Sequence, residues 1–207
     1  MTETASPILA GLGLGVALAS APGPVQAVLM AEAVRGGIAR GFRALAGASL
    51  TFGLLLVTLA LGLSVAPPGG VALRLLKVAG GALLLWLAVD GFRSGSRTAR
   101  AAPDRRTLPP AARGALAVLL NPGGWLFLGA VASPLFASAS RLGGTGSALV
   151  VAGALVIGLA LGDGAVVLFG GIGVRRAGER VERLVRRSLA IVLAGLGLWL
   201  LVGGLIP

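Results

Sequence analysis

The chain has 207 residues, 56% of them hydrophobic and only 12% charged, with a net charge of +11 and 35 glycines; mean hydropathy is +0.96. A soluble domain needs far more polar surface, so the composition makes this an integral membrane protein. The absence of cysteine, histidine and tyrosine excludes disulfides, thiol chemistry, haem, cysteine- or histidine-held metal and histidine acid–base catalysis, and nothing in the chain calls for a cofactor.

A spanning helix needs about 20 mostly apolar residues. Six runs meet that length: Pro7–Ala31, Ala44–Ala66, Val71–Phe92, Gly114–Ala137, Ser147–Val174 and Ser188–Ile206. The first is read as a span rather than a cleaved leader. Ala19-Ser20-Ala21 resembles a cleavage site, but Met1–Ser6 carries Glu3 and no positive charge, and the apolar run continues to Met30. No gap is large enough for a soluble domain. Residues 1–100 form one three-span half, 101–113 a cytoplasmic linker and 114–207 a second half. Arg175–Arg187 contains Glu179 and Glu182 four residues before Arg183 and Arg186, a spacing that predicts a short helix on the membrane surface.

The basic residues set the orientation. Fifteen fall in the connections after the first, third and fifth runs, and three (Arg74, Lys77 and Arg141) in the connections after the second and fourth. The positive-inside rule then puts the odd connections in the cytoplasm and both termini outside. Topology thus accounts for the net charge without nucleic acid as a partner.

Each half has a Pro-Gly break in its first span, Pro22-Gly23 and Pro122-Gly123. Three spans per half is an odd number, so the second half must be inserted upside down relative to the first. Paired interrupted helices in corresponding positions point to a transporter site between inverted repeats. The expected fold is an all-α integral membrane protein of six transmembrane helices, two inverted three-helix repeats with broken first helices.

The breaks nominate the site. Proline removes a backbone donor and frees carbonyls upstream, and in lipid such groups survive only where protein buries them or they line a wet cavity. The half-helix restarting after a break offers N–H groups and positive potential to a carboxylate, while the half ending before it offers carbonyls to an ammonium. Pro22, Gly23, Pro24 and Gln26 at the first break, and Asn121, Pro122 and Gly123 at the second, are therefore the candidate substrate-binding residues. Gln26 and Asn121 can each donate and accept, holding a zwitterion or simply satisfying the freed backbone. Asp163, in Leu161-Gly162-Asp163-Gly164, is the only acidic residue deep inside a span. A carboxyl group there is costly, and it suits proton coupling, a substrate amine or a purely structural hydrogen bond. Glu32 and Asp90, near the cytoplasmic ends of the first and third spans, are expected to reach the interface and pair with arginines. Trp86, Trp125 and Trp199 are expected to serve as interface anchors or packing.

Three features resemble the LysE/RhtB family of small amino-acid exporters: Ala21-Pro22-Gly23-Pro24-Val25-Gln26 followed by the basic turn Arg35-Gly36-Gly37-Ile38-Ala39-Arg40-Gly41; Asn121-Pro122-Gly123-Gly124-Trp125-Leu126-Phe127; and the six spans with a basic central connection. The first is similar to the family's Pro-Gly-Pro motif and the second to its Asn-Pro-Lys segment, with Gly123 in place of the lysine and Gln26 where the family often has asparagine. Some exporters of basic amino acids carry an early aspartate in the second span, where this chain has Gly53. The resemblance implies a transporter rather than an enzyme, in the inner membrane, with the family's homodimer as its assembly. It also leaves room for relatives that export metal ions or serve lipid and envelope export.

The expectation is therefore a proton-coupled secondary transporter that exports a small amino acid or related metabolite. The alternatives are a divalent-cation exporter, weakened by the single deep carboxylate, and a non-transporting membrane component of lipid or cell-envelope export. An intramembrane enzyme lacks a paired nucleophile and base.

Overall fold

Apart from a closed barrel, only a helix satisfies every backbone group within a lipid-exposed segment, and the described parts of the apolar runs are mostly helical. The computed structural model describes residues 2–21, 23–62, 70–94 and 108–205; Pro22 and the core of the central basic connection, 95–107, lie outside them. Helix α1 (Thr2–Ser20) is followed by α2 (Pro24–Gly36), bent from it by 67°. Then come α3 (Ile38–Ala60), α4 (Gly70–Ser94), α5 (Pro110–Leu119) and α6 (Pro122–Phe127), which continues through a π-helical turn, Leu128–Ala132, into α7 (Ser133–Arg176). The last helix, α8, runs Glu179–Leu205.

Among the described residues there are four helical stretches long and apolar enough to cross a membrane, five if the bent pair α1 and α2 counts as one span. Helix α7 is two arms joined at Gly143 and Gly144, whose dihedrals are not helical. Gly144 has φ 69°, a conformation in which a side chain would be strained.

Two boundaries differ from the sequence reading. Arg175–Arg187 is not a separate surface helix: Arg175 and Arg176 end α7, the chain turns at Gly178 with φ 87°, and α8 runs unbroken from Glu179 to Leu205. Helix α5 begins at Pro110, inside the stretch read as linker. Proline at a first helical position loses no hydrogen bond, so the linker prolines start a helix there.

Helix α1 runs parallel to the second arm of α7, with Gly11 facing Val151 and Gly162 facing Ala19. Helix α4 runs antiparallel to α8, with Gly81 against Gly197 and Gly204 against Val78. Helix α3 packs on both α5 and α7. Glycine sets the closest of these approaches: a methyl at Gly15 would overlap the Leu155 carbonyl oxygen, and one at Gly158 the Leu12 carbonyl oxygen. Small residues at helix contacts are how membrane helices gain packing where apolar burial offers no drive.

Two apolar cores result. One joins α1, α3 and α7, with Leu56, Leu128 and Leu155 fully buried; the other joins α4, α5 and α8 through Leu84, Ala117 and Leu193. The short helix α2 belongs to both, Leu29 lying in the first and Val28 in the second, and it touches α3, α4, α5, α7 and α8. The outer surface stays apolar, with Leu9, Leu50, Phe169 and Trp199 exposed, as a lipid-facing surface requires.

The glycine contacts generate a prediction. Gly158→Ala should destabilise the protein in detergent by about 1–3 kcal/mol through overpacking, whereas Gly13→Ala, with nothing within 4 Å of the added carbon, should leave its thermal unfolding unchanged.

Candidate functional site

The first break exposes the end of α1 and the start of α2. Gly23 precedes α2 in extended backbone (φ −158°, ψ −179°) and Pro24 takes the first helical position. No side chain caps α2. At the end of α1 the Leu18 carbonyl accepts from the Ala21 N–H at 3.2 Å, and the Ala19 carbonyl accepts from Gln26 Nε2 at 3.2 Å. The same Gln26 nitrogen donates to Asp163 Oδ1 at 3.2 Å, bridging 137 positions of sequence.

The second break repeats this arrangement 100 residues later, with different side chains. The Val118 carbonyl accepts from the Asn121 N–H at 3.2 Å, and the Leu119 carbonyl accepts from Trp125 Nε1 at 2.7 Å. Here the restarting helix is capped: Asn121 Oδ1 accepts from the Gly123 N–H at 3.1 Å, and the Asn121 carbonyl from the Gly124 N–H at 3.1 Å. Capping satisfies amides that would otherwise be free, so the two breaks differ in what they offer a ligand. Trp125 packs against the first core, as expected, and its indole N–H also takes up a carbonyl that the break frees.

Both breaks open on one cavity of about 270 Å³. Of the residues singled out in the sequence, Gly23, Pro24, Gln26, Asn121, Gly123 and Asp163 all line it. Pro122 is buried beside it at the start of α6, and Pro22 lies outside the described residues. Asp163 is 2% exposed and is the one ionisable side chain among the described lining residues. The remaining wall includes Leu18, Ala48, Ser49, Phe52, Val118 and Leu159, with Phe52 resting on Phe127 at 6.0 Å between ring centroids. Nothing in the sequence distinguishes these from packing residues; only the register of α3 places Ser49 and Phe52 on the cavity side. Among the described residues no three acidic side chains gather as a metal site would require.

A second polar assembly lies at the end of the bundle where α2 turns into α3. Arg113 of α5 is fully buried and donates three ways: Nη1 to Glu32 Oε1 at 2.8 Å, Nη2 to Asp90 Oδ2 at 2.6 Å, and Nε to the Leu108 carbonyl at 3.1 Å. The Trp86 ring covers its guanidinium, 5.1 Å from the centroid. Arg40 Nε donates to Glu32 Oε2 at 2.6 Å, and Arg35 Nη1 to Asp90 Oδ2 at 2.7 Å. Glu32 and Asp90 do pair with arginines, as their positions led one to expect. Glu32 is 1% exposed, enclosed by protein on all sides. Arg113 was indistinguishable in sequence from the other arginines of a basic connection.

Removing one partner from a buried ion pair leaves the others uncompensated, which costs about 3–5 kcal/mol. Arg113→Gln should therefore destabilise the protein by about that amount, and Arg113→Gln combined with Glu32→Gln should recover part of the loss. Thermal unfolding of the single and double variants in detergent checks this; a single variant as stable as the parent would remove the cluster's structural role.

Residues 16–204 match the family model described as LysE type translocator. No curated protein and no solved structure matches the chain. The match spans nine-tenths of the sequence and takes in both breaks, the cavity and the charge cluster. The chain belongs to the LysE type translocator family.

Proposed function

We propose that this membrane transporter has six spans, sits in the cytoplasmic membrane, and exports a small amino acid or related zwitterion in exchange for protons moving inward. The observation that carries the reading is the cavity, where the uncapped start of α2 and the Asp163 carboxylate face one space. An uncapped helix N-terminus favours an anionic group, and the carboxylate favours a cationic one. An α-amino acid presents both charges within a few ångströms. The volume of about 270 Å³ suits a solute of that size. A divalent cation finds one carboxylate in the cavity, too few oxygen ligands of the charged kind it prefers.

The six-span reading draws on three features. A straight helix over Pro122–Val174, 53 residues, would be about 80 Å long, far more than a bilayer core of about 30 Å; the bend at Gly143 and Gly144 divides it into two crossings. The carbonyls at both breaks are taken up in the same pattern at an offset of 100 residues. The packing is also symmetric under exchange of the halves. The first span on the fifth corresponds to the fourth on the second, and the third on the sixth corresponds to itself. With the positive-inside rule, both termini lie outside, and the charge cluster lies at the cytoplasmic end.

In the mechanism, cargo enters from the cytoplasm with its carboxylate toward Val25 and Gln26 and its ammonium at Asp163. Rocking of the halves exposes the cavity to the outside. There a proton replaces the ammonium on Asp163 and cargo leaves. The neutral carboxyl returns and releases its proton inside. Cargo and proton compete for one carboxylate, which couples them without a second site. The Glu32–Arg113–Asp90 cluster joins α2 and α4 of the first half to α5 of the second and holds the cytoplasmic side shut.

Efflux of a labelled amino-acid panel from expressing cells, with and without an uncoupler, tests the reading. Uncoupler-sensitive efflux of at least one amino acid is expected, and Asp163→Asn should abolish its dependence on the proton gradient. Unchanged efflux and gradient dependence in that variant would falsify the coupling role.

A further inference from the structure

Ser49 is the one hydroxyl among the described residues whose oxygen is buried without a hydrogen-bond partner. Ser20 donates to the Val16 carbonyl, Thr51 to Gly47 and Thr58 to Leu54, each at 2.8 Å and four residues back, and Ser138 donates to Leu135 three residues back at 2.8 Å. This back-bonding is how a hydroxyl in an apolar helix satisfies itself. Ser49, on the same helix as Thr51 and Thr58, makes no such bond: its Oγ is buried and has no hydrogen-bond partner. It is also the one hydroxyl in the wall of the cavity. An unpaired buried hydroxyl is disfavoured, yet the usual local remedy goes unused.

The position of the exception gives it meaning. Gln26 ties Asp163 to α2, so the two groups that read the charges of a zwitterion lie side by side on α2 and α7. The wall contributed by α3 and α5, Ser49 with Phe52 and Val118, is left for the rest of the solute. It is apolar except for one hydroxyl. Resting on the exporter reading above, we infer that Ser49 is a specificity-determining residue: its Oγ bonds a polar group on the cargo's side chain, so the cavity favours uncharged polar side chains over aliphatic ones of equal size. A site built to pair with a polar group discriminates strongly against an analogue lacking it, because its own polar atom is then left bare.

The test uses purified full-length protein in liposomes, with all twenty proteinogenic amino acids as transported or competing solutes, and compares wild type, Ser49→Ala and Ser49→Thr. Wild type is expected to favour a polar side chain over its near-isostere, asparagine over leucine for example. Ser49→Ala should reduce that preference about tenfold through KM for the polar solute, with unfolding temperature unchanged or raised because the bare hydroxyl is gone. Ser49→Thr keeps the hydroxyl and should keep the preference. The chain contains no cysteine, so Ser49→Cys gives a single thiol, and the preferred solute should slow its reaction with a small methanethiosulfonate reagent. An unchanged preference in Ser49→Ala, or a thiol that solute does not protect, overturns the role of Ser49 alone. A lower unfolding temperature with unchanged preference identifies a structural water on Ser49 and likewise overturns it. Wild-type protein that moves none of the twenty solutes overturns the exporter reading, and this inference with it.

Discussion

One side-chain nitrogen holds the first break together. Gln26 Nε2 has two hydrogens, and both are engaged, one by the Ala19 carbonyl at the end of α1 and one by Asp163 on α7. A carbonyl without a partner costs several kcal/mol in a membrane interior, so a helix can be interrupted there only where something replaces the missing N–H. The residue that does so also fixes the carboxylate of the cavity. The bend of 67° between α1 and α2, the central place of α2 and the position of Asp163 on the cavity wall thus depend on the same few atoms. Truncating Gln26 would remove a backbone acceptor's partner and a carboxylate's partner together.

The two breaks answer one physical problem with different chemistry. At the second, Trp125 takes up the freed carbonyl and Asn121 caps the next helix. The indole N–H has one hydrogen and can reach nothing further, whereas the glutamine amide had a second to spend on Asp163. Asn121 similarly consumes a restarting N–H that the first break leaves uncapped. The second break is self-contained, and the first is open to a partner. Backbone topology repeats between the halves while polar capacity does not, and on the exporter reading proposed above the ligand-reading groups belong to the first break and its neighbour α7.

Much of this site was legible in the sequence because it involves residues that are conspicuous in lipid. A Pro-Gly pair, an amide or a carboxylate in an apolar run has an energetic cost, so it stands out, and six such residues from both halves of the chain do line one cavity. What sequence could not reveal lacks that contrast. Ser49 and Phe52 are ordinary residues for a helix, and the register of α3 alone gives them a cavity face. Arg113 was hidden by abundance: among 18 basic residues, counting charges sets topology but cannot say which guanidinium is fully buried. The burial of Glu32 was hidden for the complementary reason, since closeness to a span end suggests solvent, and only the third dimension brings α5 across to exclude it. The surface helix expected over Arg175–Arg187 failed because i,i+4 pairs report helicity and not where a helix stops; Gly178 marked the boundary.

The electrostatics divide along the bundle. Toward the turn between α2 and α3, one buried and one partly buried carboxylate are matched by guanidiniums within 2.6–2.8 Å; in the cavity, a single carboxylate has only an amide among the described residues. Matched charges in a dry interior are hard to separate, because each partner left behind carries the full desolvation penalty. On the exchange mechanism proposed above, opening the cytoplasmic side parts Arg113 from Glu32 and Asp90, and that step is feasible only if water enters as the contacts break. On that mechanism the cluster would resist any opening too narrow to be hydrated, which would keep protons from leaking past a partly open gate. The lone carboxylate of the cavity has the opposite property. With no basic side chain beside it among the described lining residues, it is free on that mechanism to exchange a cation, and the separation of the two assemblies would let one part of the chain stay shut while the other trades its ligand.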